Sequence, residues 1–102
     1  MGYSLVMEFG WDDAKSEACF RERGFDFAYV ASAFADPDRV VVEDTRRPCG
    51  EPRFELTGQV QGRLFVLVFT PRRNVIRIIS ARKANSREIR QHENRSQGDG
   101  RP

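Results

Sequence analysis

The sequence is poor in metal-binding side chains. It has one histidine, His92, and two cysteines, Cys19 and Cys49. A structural zinc site takes four ligands, so these three residues do not supply one, and no metal or other cofactor is expected. Nothing in the chain points to an oxidising compartment, so two free thiols are expected in preference to a disulfide. Long apolar stretches are also missing. The longest, Leu64 to Phe69, has six residues, far short of the roughly 20 that cross a bilayer as a helix. Met1 to Phe9 lacks a basic n-region, which argues against a signal peptide. The expectation is a cytoplasmic protein with no membrane partner.

Lysine is scarce as well. Only Lys15 and Lys83 occur among 17 basic residues. Arginine is the cation whose planar fork matches phosphate oxygens two at a time. The charges are unevenly placed. Residues 1–45 hold four basic side chains against ten acidic ones, and residues 46–102 hold thirteen against five, within a total of +2. Such segregation points to an acidic partner, often nucleic acid, on one side.

With 102 residues, 39% hydrophobic and 8 of them Phe, the chain can build one domain with a modest core. Local signals divide it. Leu5 to Phe9 reads as a short strand. Asp12 or Asp13 can cap a helix that ends near Arg23, before Gly24. Asp26 can cap a second helix ending before Asp36-Pro37, with Phe27, Val30, Ala31 and Phe34 on one face. Val40 to Val42 reads as a strand, followed by a polar loop holding Arg46, Arg47, Pro48 and Cys49. Arg53 to Gln61 alternates, Gln61-Gly62 marks a hairpin, and Arg63 to Thr70 is a central strand covered on both faces. Pro71 to Asn74 turns the chain into a strand from Val75 to Ala81, with Arg77 on the face opposite Ile76 and Ile78. Asn85 and Glu88 form a capping box for a last helix ending near Arg95. Residues 96–102 read as a disordered tail on a domain of residues 1–95. The expected class is α+β: two N-terminal helices packed on an antiparallel meander, with a C-terminal helix.

Several strings resemble the BrnT-type branch of the RelE-like toxins. They are Phe9-Gly10-Trp11-Asp12 with Lys15, Gly24 with Phe27, Glu51-Pro52-Arg53-Phe54 with Gly58, and Ile76-Arg77-Ile78-Ile79-Ser80-Ala81-Arg82-Lys83-Ala84 with Glu88. The resemblance implies a RelE-like fold and a toxin that cleaves RNA without the ribosome and without metal, inhibiting growth. It also implies a cognate, BrnA-like antitoxin that blocks the toxin and carries it to operator DNA. The sequence departs from the pattern in four places. Glu22-Arg23 replaces Lys-His, Cys19 replaces Asn, Pro71 replaces an acidic residue, and His92 replaces Tyr. The lost histidine keeps open a catalytically inactive binding subunit in a DNA-binding autorepressor complex.

Metal-free cleavage uses the 2′-hydroxyl as nucleophile. It requires a base, an acid and cations for the developing charge. Arg53 and Arg77, on strands and in matching motifs, are the electrostatic candidates. Glu51, Glu88 and His92 are the candidate proton carriers; Glu88 and His92 are four residues apart on one helix face. Trp11, Lys15, Arg63, Arg82 and Lys83 are the expected RNA contacts.

Overall fold

A computed structural model describes residues 8–45 and 50–99, the side chains of 96–99 excepted. Arg46, Arg47, Pro48 and Cys49, the expected strand residues Leu5 to Met7, and residues 100–102 lie outside the described residues.

Strand β1 (Glu8–Trp11) leads into helix α1 (Asp13–Arg23). Asp12 caps it, its carboxylate accepting the N–H groups of Ala14 at 2.9 Å and Lys15 at 3.2 Å. Gly24 ends it at φ 89°, a left-handed conformation that glycine adopts without a Cβ penalty. Asp26 caps the next segment by accepting Tyr29 N–H at 2.9 Å. The expected second helix is not one helix. It is a single α turn, α2 (Phe27–Val30), followed by a 3-10 turn over Ala31–Ala35. Two local effects shorten it. The Ser32 hydroxyl donates to the Tyr29 carbonyl at 3.1 Å. Pro37 forces Asp36 into the extended region, φ −69° and ψ 120°.

Strands β2 (Val40–Asp44), β3 (Arg53–Val60), β4 (Arg63–Arg72) and β5 (Val75–Lys83) form a meander. Gln61 and Gly62, at φ 51° and 81°, make the two-residue hairpin expected from the sequence. The next hairpin is tighter than expected. β4 continues through Pro71 to Arg72, and only Arg73 and Asn74 turn. Pro71 lies beyond the last β3–β4 pair, Phe54 with Phe69, where β4 has become an edge that tolerates proline.

The sheet is mixed, order β1-β5-β4-β3-β2, not an antiparallel meander alone. β1 joins the free edge of β5 in parallel, from Glu8 opposite Val75 to Trp11 opposite Ile78. Hydrophobic alternation specifies a strand's faces but neither its partner nor its direction, and so the expected architecture was too simple.

A β-bulge sets the faces of β5. Val68 pairs with Ser80 and Phe69 with Ile78, leaving Ile79 extra. Ile78 and Ala81 therefore both face the N-terminal helical segments, 1% and 5% exposed, although three residues apart. Arg77 and Arg82 share the opposite face for the same reason; strict alternation would separate them.

The core fills the space between the sheet and the N-terminal segments. Leu56, Leu67, Val30 and Ala33 are fully buried there. Phe34 packs against Phe9 and Phe69 with ring centroids 5.0 Å apart in both pairs. Gly58 is required at the closest approach, since a Cβ there would stand 2.9 Å from the Ala33 carbonyl oxygen. Helix α3 (Ser86–Asp99) covers the other face, where Leu64 and Val66 are buried. It extends four residues past Arg95, the expected end. Once a helix is nucleated, each added residue gains one hydrogen bond, so Ser96 to Asp99 continue it.

Candidate functional site

α1 positions the first group of side chains. Past Ile78, β1 has ended and α1 takes its place beside β5, with the Cys19 thiol donating weakly to the Ala81 carbonyl at 3.8 Å. Cys19 is buried and free, and burial pushes its thiol pKa up, which makes it a poor nucleophile. Helical spacing then puts Lys15, Glu22 and Arg23 on the face above it. These three line a cleft of about 480 Å³ with Arg53 of β3 and with Ile79, Ser80 and Ala81 of β5. Three cations and one carboxylate thus meet in one depression.

Arg53 is half-buried at the start of β3. Its location is fixed by Thr70, 1% exposed, whose hydroxyl donates to the Pro52 carbonyl at 2.6 Å. Thr70 pairs across the sheet with Arg77, which also stands opposite Gly10 of β1. Glu51 does not engage Arg53. It pairs with Arg72, and both side chains are about half exposed, so the pair contributes little stability. Among the described residues, neither Arg53 nor Arg77 forms an ion pair.

The other expected site residues lie elsewhere. Arg82 donates from two nitrogens to the two Glu88 oxygens, both at 2.8 Å. Glu88 also completes the capping box: it accepts Asn85 N–H at 2.9 Å while its own N–H donates to the Asn85 side chain at 2.8 Å. The Arg82 guanidinium, aided by the Asn85 N–H, holds the Glu88 carboxyl down to about 2 from an ordinary 4.5. A carboxylate so held is a weak base. His92 is buried, its Nε2 without a hydrogen-bond partner among the described residues. It lines a narrow cleft of about 170 Å³ with Glu88, Glu55 and Thr57. Trp11 is half-buried and packs edge-on against Phe27, at 6.4 Å and 88°. Arg63 and Lys83 line a separate groove on the N-terminal helical side.

The arrangement therefore unites Lys15 and Arg53 and adds two residues not expected, Glu22 and Arg23. The sequence marked that pair only as a departure from the family pattern. Their spacing of seven and eight residues from Lys15 was the available signal, because it repeats the helical face.

The Arg82–Glu88 clamp predicts acid sensitivity. A carboxylate whose pKa is lowered on folding stabilises the fold above its unfolded value. That contribution disappears as pH falls from about 4.5 toward about 2. Both groups are partly exposed, so the loss is expected to be only on the order of 1 kcal/mol. Urea midpoints at pH 6 and pH 3 check this: Glu88→Gln should show a smaller acid loss than the native sequence. Equal losses would remove Glu88 from the acid response.

Among the described residues no group of three or more His, Cys, Asp or Glu could hold a metal ion. No described helix is long and apolar enough to cross a membrane. A comparison with curated proteins finds no match. A family model described as the ribonuclease toxin BrnT of type II toxin–antitoxin systems matches residues 11–88. That span runs from the strand before α1 to the Arg82–Glu88 clamp and includes every residue of the cation-lined cleft. The chain belongs to the BrnT family of type II toxin–antitoxin ribonuclease toxins.

Proposed function

We propose that the cleft between α1 and β5 is the site of a metal-independent endoribonuclease acting through the RNA 2′-hydroxyl. The observation that carries this reading is the convergence of Lys15, Arg23 and Arg53 around Glu22. The cations bind the scissile phosphate and stabilise the charge that develops on its oxygens. Glu22 accepts the 2′-hydroxyl proton. The 2′-oxygen bonds to phosphorus as the bond from phosphorus to the 5′-oxygen breaks. The leaving oxygen takes its proton from Lys15, since arginine cannot give one up at neutral pH. The products are a 2′,3′-cyclic phosphate and a 5′-hydroxyl. Arg77, on the same sheet face as Arg53, holds an adjoining phosphate. Glu88 and Arg82 fix the start of α3, and Glu51 pairs with Arg72 at the surface. His92 packs α3 on the sheet.

A type II toxin has a protein antitoxin as partner. Here it is a BrnA-like, DNA-binding protein that covers the cleft and reaches operator DNA for the complex. Cytoplasmic RNA is the substrate, and expression without the antitoxin arrests growth. Purified protein incubated with an unstructured RNA tests this. Cleavage with 2′,3′-cyclic ends, unchanged by a chelator and abolished by the antitoxin, is expected. Chelator-sensitive cleavage would overturn the metal-independent mechanism. Absence of any cleavage would favour a binding subunit.

A further inference from the structure

A second depression, of about 490 Å³, lies on the N-terminal helical side of the sheet. Its floor is aromatic. Phe25 and Phe65 are buried with ring centroids 4.9 Å apart, and Tyr29 meets Phe65 at 6.1 Å. The Tyr29 hydroxyl donates to the Gln61 side-chain carbonyl at 3.0 Å, which fixes that ring beside the β3–β4 hairpin. Phe20, on α1, is 58% exposed at the rim. Three cations surround these rings: Arg23, Arg63 and Lys83. Lys83 pairs with Phe65 across the sheet, and Arg63 is two residues from Phe65 along β4. The acid in the groove, Asp26, already accepts the Tyr29 N–H. Arg23 lines both this groove and the α1–β5 cleft.

We propose that this groove is a second nucleotide subsite for single-stranded RNA. A base stacks on Phe20 and Tyr29, and the backbone is held by Arg63 and Lys83. Arg23 spans the step to the scissile phosphate. The inference rests on the ribonuclease reading of the cleft. Its own support is the combination of exposed ring faces with convergent cations. Single-strand binders use this combination because every base has a π-face and every linkage a charge. An apolar peptide would leave three cations of the groove without partners.

Binding of 2′-O-methyl RNA, which lacks the nucleophile, tests the subsite without cleavage. Affinity should rise as the oligonucleotide lengthens from two to six nucleotides. Phe20→Ala should weaken the six-nucleotide complex by roughly 5- to 150-fold, the scale of one stacked base. Phe20→Tyr, which keeps the ring, should retain affinity and so controls for folding. Neutralising Arg63 and Lys83 together, as Arg63→Gln with Lys83→Gln, should reduce the salt slope of log affinity by about 1.4. Unchanged affinity in Phe20→Ala with an unchanged slope in the double variant would overturn the subsite, while native cleavage of RNA would keep the ribonuclease reading intact. Loss of antitoxin binding in Phe20→Ala without loss of RNA affinity would also overturn it, marking a protein-docking surface. If the native protein neither binds nor cuts RNA, the parent reading fails and the subsite falls with it.

Discussion

Arg53→Ala should lower the rate of RNA cleavage by about 10²- to 10³-fold, the usual loss when one preorganised group facing the developing charge is removed. Arg53 stands at the first position of β3, set there by the hydrogen bond between Thr70 and the Pro52 carbonyl. Among the described residues no acid pairs with it, so its guanidinium is available to phosphate. Arg53→Lys keeps the charge but loses the planar fork, and an intermediate rate is expected. Glu22→Gln removes the proposed base and should cost about 10²- to 10⁴-fold. Single-turnover cleavage of an unstructured RNA measures each variant, with circular dichroism as the folding check. Loss of growth arrest on expression should follow the loss of cleavage. Native rates in folded Arg53→Ala and Glu22→Gln proteins would mean that the chemistry lies outside the α1–β5 cleft.

Leu67→Ala should destabilise the domain by about 2–5 kcal/mol, the range for emptying a packed leucine site. Leu67 is fully buried in the central strand, paired on one side with Leu56 and on the other with Ala81. All three face the layer where Val30 and Ala33 are also fully buried. Fixed backbone on both sides limits relaxation into the void. A domain of this size has only about 5–15 kcal/mol in total. The melting temperature should fall on the order of 10–30 °C. Urea unfolding followed by Trp11 fluorescence gives the value, since Trp11 packs on Phe27 and loses that contact on unfolding. A loss below about 1 kcal/mol would contradict the packing described around Leu67.

The two predictions draw on different parts of the sequence. Leu67 was legible, because a nearly unbroken apolar strand announces burial on both faces. The cleft was only half legible. Lys15 and Arg53 stood out in motifs, whereas Glu22 and Arg23 looked like losses from a pattern. Nothing local shows that α1 replaces β1 beside β5, which is what brings Glu22 and Arg23 toward Arg53.

The sequence by itself determined what short-range chemistry controls. Asp12, Asp26 and the Asn85–Glu88 pair start helical segments by satisfying free N–H groups, and Gly24 ends α1. Gln61-Gly62 closes its hairpin, and alternation set the buried face of β3. Tertiary structure decided the rest. It chose the parallel pairing of β1 with β5, the bulge at Ile79 and the sheet face taken by α3. It also decided which cations share a cleft, separating Arg63 and Lys83 from Arg53. The reason is physical. Caps and turns act over a few residues, but strand partners and registers depend on which distant surfaces bury together, and a one-residue bulge moves every later side chain to the other face.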